Sequence, residues 1–190
     1  MIKMKNIAIL ASHNGSGLDA IVEAVKEGTL ALNIKLVISN NTQAKVLQKA
    51  KKYGLNCKLI NAKTYKNPDE VLYKQLNKHN CEYIFLAGYM KKLPSTLTHN
   101  FKIINSHPSL LPKYGGAGMY GRFVHETVIQ NNEKTSGVTI HEVNEHYDDG
   151  KIILQKSLEI SEDDTVDTLE QKIKKLEKTA IVDGLRLCLK

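Results

Sequence analysis

Three short segments carry side chains whose types and spacing suit chemistry. The most pointed is Ile104-Asn105-Ser106-His107-Pro108-Ser109-Leu110-Leu111-Pro112. It leaves an apolar run and enters a turn stiffened by two prolines. Alternation along a strand puts Asn105 and His107 on one face. An amide donor beside an imidazole suits stabilisation of a developing oxyanion together with proton transfer. A histidine satisfied inside a structural turn is the competing reading. The second segment is Ser12-His13-Asn14-Gly15-Ser16-Gly17. Glycines there let backbone N–H groups converge at a helix start, where a phosphate can rest, but a plain turn has the same composition. It is neither a complete G-x-G-x-x-G nor a Walker loop. The third is His146-Tyr147-Asp148-Asp149-Gly150. A carboxylate reaching a histidine from this loop would raise its pKa and fix its orientation; Asp and Gly also serve the backbone of any turn.

The elements that position these loops follow from periodicity. Apolar runs at Lys5–Ser12, Ile34–Ser39, Cys57–Ile60, Tyr83–Leu86 and Lys102–Ser106 read as strands. Helical spacing covers Leu18–Lys26, Ala44–Tyr53 and Pro68–Lys78, the last with proline in its first turn and the second ended by Gly54. Strands alternating with helices imply parallel pairing and right-handed crossovers. The pattern then changes to two strands, Gly137–Val143 and Lys151–Glu159, joined by a short loop and followed by a helix over Thr165–Leu187. On that helix Val166, Leu169, Ile173, Leu176 and Ala180 form the apolar face, and Asp163, Asp164 and Asp167 make its start acidic, as the helix dipole favours. The expected architecture is one α/β domain over residues 1–190, Rossmann-like, with a mostly parallel sheet, flanking helices and an antiparallel C-terminal strand pair. Ligands of such sheets sit at the carboxyl ends of the strands, where all three segments fall.

Composition narrows the classes. No apolar stretch reaches the roughly 20 residues that span a bilayer, and Met1-Ile2-Lys3-Met4-Lys5 leads straight into a strand without a signal-peptide pattern. The expected location is the cytoplasm, with no membrane partner. Cys57, Cys81 and Cys188 are far apart and form no C-x-x-C pair, which favours free buried thiols over zinc or redox work. His141, His146 and Asp148 match no common metal-ligand spacing, so no metal is expected. The formal charge of +7 is spread along the chain as lysine. With no basic block interleaved with aromatics, nucleic acid is not an expected partner, and a solvated lysine-rich surface accounts for the charge.

Taken together these segments resemble the folate-dependent formyltransferases, and within them the phosphoribosylglycinamide formyltransferase branch. The resemblance runs nearly end to end: NGSG at Asn14–Gly17, VISNN at Val37–Asn41, LAGYMKKL at Leu86–Leu93, INSHPSLLPKYGG at Ile104–Gly116, SGVTIHEV at Ser136–Val143 and DDGKIILQ at Asp148–Gln155. It implies a single formyltransferase domain that moves the formyl group of 10-formyltetrahydrofolate to the amine of glycinamide ribonucleotide, without a metal, in purine biosynthesis. It further implies small-molecule substrates and a monomer or homodimer. Asn105, His107 and Asp148 then form the catalytic trio: Asn105 and protonated His107 stabilise the oxygen of a tetrahedral intermediate, while Asp148 supports the imidazolium and relays a proton through water. Gly15, Ser16 and Gly17 hold phosphate, and Lys174 and Glu177 hold the sugar-phosphate's hydroxyls and nearby polar groups. Met90, Lys91, Lys92 and Leu93 face the folate, as do Asn105 and the loop from Asn144 to Asp148.

Three departures stand out. Gly17 occupies a position often held by Asn, His13 one commonly held by Gly, and an upstream folate-contacting Arg has no counterpart. The stretch Gly115–Arg122, with its four glycines, reads either as a mobile lid or as a surface loop. Formyltransferases acting on aminosugar nucleotides or methionyl-tRNA are the nearest alternatives; the tRNA enzyme is expected to need a further C-terminal domain, and a formyl-folate hydrolase a further N-terminal one. A non-catalytic nucleotide-binding module is the alternative of another class, and it would have no use for the trio.

Overall fold

A computed structural model describes residues 4–189. Met1, Ile2 and Lys3, read above as the lead into the first strand, lie outside the described residues. The strands follow the order β3-β2-β1-β4-β5-β6-β7 in a seven-stranded sheet. The chain divides into two compact units, the first ending at Ile104 and the second beginning at Asn105.

The first unit alternates β1 (Lys5–Leu10), α1 (Ser16–Lys26), β2 (Leu32–Ser39), α2 (Lys45–Lys52), β3 (Cys57–Leu59), α3 (Pro68–Lys78), β4 (Tyr83–Leu86) and α4 (Ser95–Asn100). β1 pairs in parallel with β2 and with β4, aligning Ile9 with Val37 and Phe85. β2 pairs in parallel with β3. Residues Ile7 to Ala11 have no exposed surface. That is why β1 reads as a continuous apolar run rather than an alternating one: a central parallel strand is covered on both faces. α1 presents Leu18, Ile21 and Val22 to the core, and α3 anchors through Leu72 and Leu76. Each such buried side chain contributes roughly 1.5–3 kcal/mol of transfer free energy.

β5 (Lys102–His107) passes from the first unit into the second, which continues with α5 (Arg122–Gln130), β6 (Thr135–Glu142), β7 (Ile152–Glu159) and α6 (Val166–Cys188). β6 and β7 are antiparallel, with Val138 opposite Lys156. Their register shifts where Ile140 faces Leu154 but His141 faces Ile152, so Ile153 is an extra residue on β7. α6 packs on β6 and β7. Thr165 caps it: its hydroxyl accepts from the Thr168 N–H, and the Thr168 hydroxyl accepts from the Thr165 N–H. Its buried residues are Leu169, Ile173, Ala180, Ile181, Gly184 and Leu185. The apolar face therefore differs from the expected one, since Val166 and Leu176 are only half-buried and the stripe continues through Ile181 and Leu185.

Two helices were not expected from sequence. α4 has six residues, too few for a periodic pattern. α5 begins immediately after Gly121, inside the stretch read as a lid or surface loop. It is a buried element, with Val124 and Val128 in the core. Arg122 pins its start by reaching Glu126, Asp167 and Glu170. Among the described residues no helix is long and apolar enough to cross a membrane.

Candidate active site

The carboxyl end of β5 delivers Asn105 and His107, as alternation predicts. His107 is buried, with 4% of its surface exposed, and Asn105 is half-buried. What the sequence could not show is how the ring is held. Nε2 of His107 donates to the Tyr114 carbonyl oxygen at 2.7 Å, and Nδ1 lies 3.5 Å from Asp148 Oδ2. The second distance is long for a hydrogen bond yet short for an electrostatic interaction in a buried site. Asp148 is fixed in turn: the Gly116 N–H donates to its Oδ2 at 2.9 Å.

The turn that brings up Tyr114 is built from buried polar groups. Thr139 on β6 donates to the Ser109 carbonyl at 2.6 Å, and its oxygen accepts from the Leu111 N–H and from Gln155 on β7. One hydroxyl thus uses its donor and both lone pairs. The Gln155 amide also donates to the Leu111 carbonyl, and the Ser109 hydroxyl donates to the Lys113 carbonyl. Tyr114 itself is at φ 56 and Asp148 at φ 53. Both residues flanking the ring therefore sit in the left-handed region that non-glycine residues seldom occupy, a conformation that persists where surrounding structure holds it. The Tyr114 phenol provides one such hold by donating to Glu133 Oε1, which also takes Lys113.

His141, considered from sequence only as a metal ligand, belongs to this cluster. It is buried at the register shift of β6, the kind of irregularity that re-aims a side chain. Its Nδ1–H donates to the Glu142 carbonyl at 2.8 Å, which leaves Nε2 as an acceptor for the Asn105 amide at 3.1 Å. That fixes the Asn105 side chain, whose second N–H stays available. Nε2 of His141 is also 3.6 Å from Asp148 Oδ1. A buried histidine two residues after a buried threonine on one strand was the available signal. The carbonyl of Tyr114 and the N–H of Gly116 are backbone groups and leave no signature in residue type.

Burial pushes the His107 pKa below the usual imidazole value, against the opposing pull of Asp148 and the Tyr114 carbonyl. Burial thus favours the neutral ring before reaction, while the protonated His107 that the resemblance implies is the form that faces the oxygen of the tetrahedral intermediate. For Asp148 burial acts upward, but His141, His107 and the Gly116 N–H outweigh it, and the carboxyl ends below its ordinary range. A neutral base beside a firmly ionised carboxylate is ready to accept a proton and to be stabilised once it has one.

The other residues named from sequence are placed as follows. Gly15 is the N-cap of α1 at φ 56, with no side chain capping the helix. A Cβ there would collide with Val46, so glycine is required twice over. Ser16 and Gly17 open the helix, leaving first-turn N–H groups for a ligand. Met90 is 47% exposed, and its N–H donates to the buried Ser12 hydroxyl at 2.7 Å. Lys91 pairs with Asp69 at 2.5 Å, Lys92 is exposed, and the Leu93 side chain is buried. Lys174 and Glu177 have separate protein partners: Lys174 is exposed and pairs with Glu170, whereas Glu177 accepts from the Ser106 hydroxyl. Among the described residues no group of three or more His, Cys, Asp or Glu is arranged to hold a metal ion.

Comparison with known proteins identifies the family. The Formyl transferase family matches residues 5–185. The phosphoribosylglycinamide formyltransferase of Bacillus subtilis is 40% identical over 92% of this chain and 89% of its own. The trifunctional purine biosynthetic protein adenosine-3 of Bos taurus is 35% identical over 97% of this chain, which spans 18% of that longer protein. The crystal structure of phosphoribosylglycinamide formyltransferase from Bacillus halodurans superimposes with a TM-score of 0.88 at 34% identity, covering 97% of this chain and 95% of its own. With a family match over almost its whole length and a 40% identical relative of similar extent, the chain belongs to the formyl transferase family.

Proposed function

We propose that the chain transfers the formyl group of 10-formyltetrahydrofolate to the amine of glycinamide ribonucleotide, acting in the cytoplasm as one formyltransferase domain over residues 1–190. The observation that carries this reading is the polar cluster of Asn105, His107, His141 and Asp148, buried or half-buried beside a backbone turn that exists to hold it. The names of its relatives supply the acceptor and the formyl group, and the resemblance supplies the folate donor.

In the proposed reaction the amine nitrogen attacks the formyl carbon, and the carbonyl oxygen becomes an oxyanion. The free N–H of Asn105 donates to that oxygen, a contribution realised only as charge develops. His107 takes the amine proton at Nδ1, the nitrogen not already committed to Tyr114, and Asp148 stabilises the resulting imidazolium. The carbon–N10 bond then breaks, the carbonyl re-forms, and the proton passes to N10, giving the formamide and tetrahydrofolate. No step calls for a metal. Gly15, Ser16 and Gly17 are assigned to the acceptor's phosphate through the uncapped start of α1. Lys174 and Glu177 are assigned to its ribose, and Met90, Lys91, Lys92, Leu93 and Asn105 to the folate.

The test is to mix the purified protein with a 10-formyl folate and glycinamide ribonucleotide and follow the formyl folate by absorbance. Loss that requires the ribonucleotide is expected. Loss without it identifies a hydrolase, and no loss under either condition overturns the reading.

A further inference from the structure

Glu177 stands where α6 should be apolar. Ile173 lies one turn before it and Ile181 one turn after, each with only 1% of its surface exposed. A carboxylate on such a stripe is costly unless something holds it. Burial pushes its pKa above the usual range, opposed by the Ser106 hydroxyl and then by Lys174 one turn away. The holding group is Ser106, whose hydroxyl donates to Oε1 at 2.6 Å. Alternation along β5 turns Ser106 to the face opposite Asn105 and His107. The last residues of the strand therefore serve both sides of its carboxyl end. Neither partner is sealed from solvent: Ser106 and Glu177 are both half-buried. Among the described residues no protein donor reaches Oε2 of Glu177, and the Ser106 oxygen keeps its lone pairs.

We propose that Ser106 is a positioning and specificity residue: it holds Glu177 so that Oε2 and the serine oxygen accept from two neighbouring hydroxyls of the acceptor's ribose. This rests on the assignment of Glu177 to the acceptor made above. The pair presents two acceptors side by side and so favours a vicinal diol over a deoxy sugar, because a missing hydroxyl leaves a half-buried acceptor without a donor.

The test is steady-state kinetics of wild type, Ser106→Ala, Ser106→Thr and Glu177→Gln with glycinamide ribonucleotide and its 2′-deoxy analogue. Ser106→Ala should raise the KM of the acceptor about tenfold, the loss of one charge-assisted hydrogen bond, with little change in kcat or in the KM of the folate. Ser106→Thr, which keeps the hydroxyl, should restore it. The penalty for the 2′-deoxy acceptor should shrink in Ser106→Ala. Its acid limb of kcat/KM for the acceptor should also move to higher pH, because the hydroxyl is what holds the Glu177 carboxyl down; a merely structural serine would move neither. If Glu177→Gln raises the acceptor KM and Ser106→Ala does not, the role given to Ser106 is wrong. If Glu177→Gln has no effect, the assignment of Glu177 itself falls.

Discussion

Nε2 of His107 donates to the carbonyl oxygen of Tyr114 at 2.7 Å, and that one bond decides which ring nitrogen is left for chemistry. The neutral ring carries its proton on Nε2, so Nδ1 has the lone pair and faces Asp148. Removing the ring as His107→Ala should lower kcat on the order of 10²–10⁴-fold. Ribonucleotide affinity measured by calorimetry should stay within a few-fold; loss of binding with turnover retained would reverse the roles.

The pH dependence follows from the same pair. Burial depresses the His107 pKa, so the acid limb of kcat/KM should lie below the ordinary imidazole value of about 6.5. Asp148 pulls the other way, and Asp148→Asn should carry the limb lower still as well as slowing turnover. Stability has the matching sign. With a folded pKa below the unfolded one, the His107 contribution is complete above about pH 6.5 and is lost as pH falls towards the folded value, because the unfolded chain takes up the proton more readily. Denaturant midpoints at pH 7.5 and 5.5 should differ less in His107→Gln than in wild type.

Thr139→Val keeps shape but strands the buried Leu111 N–H and leaves the exposed Gln155 with one partner fewer. A destabilisation of about 2 kcal/mol or more is expected from urea unfolding. Because the same turn presents the Tyr114 carbonyl, kcat should fall as well. A variant with reduced stability and unchanged kcat would show that the turn does not position the ring.

Asn105 is oriented by His141, so replacing His141 with Phe should cost about tenfold in kcat without altering substrate affinities, as expected when a donor is released from its preorganised position. Exchange of Asn105 for Asp in that background would then add less than it does in wild type.

Gly150→Ala should be the most damaging of the loop substitutions, since a Cβ there would drive into the Glu142 carbonyl. That carbonyl is the acceptor for His141 Nδ1, and the glycine lies two residues from Asp148. Loss of activity together with a lower Tm is the expected outcome.

How much of this was legible in the sequence depends on whether a signal resides in side chains. The strand Lys102–Ser106, the pairing of Asn105 with His107 on one face and the turn at Gly15 were readable, because each rests on periodicity or on a glycine where the backbone needs one. The distance from His107 to Asp148 was not, because 40 residues of chain separate them and a register shift intervenes. α5 was masked by the glycines before it, although Val124 and Val128 sit four apart. Glu177 entered with Lys174 only through the resemblance, because a lone carboxylate leaves no periodic signal, whereas its buried neighbours Ile173 and Ile181 mark the stripe it occupies.

The extra residue on β7 has a consequence for how this site can change. Ile153 is the residue that lets β7 gain one position on β6 just where His141 points inward, and the chain before it leads back through Gly150 to Asp148. Deleting Ile153 would restore a regular ladder, with Ile152 still opposite His141 and every residue named here in place by type, yet it would remove the bend and added twist that the extra residue gives β7 where the chain leads back to Asp148. The catalytic geometry is thus written partly in a residue count rather than in residue identity. An inventory of side-chain types would pass a chain with that deletion as intact, though the strand leading to its carboxylate would run a different course.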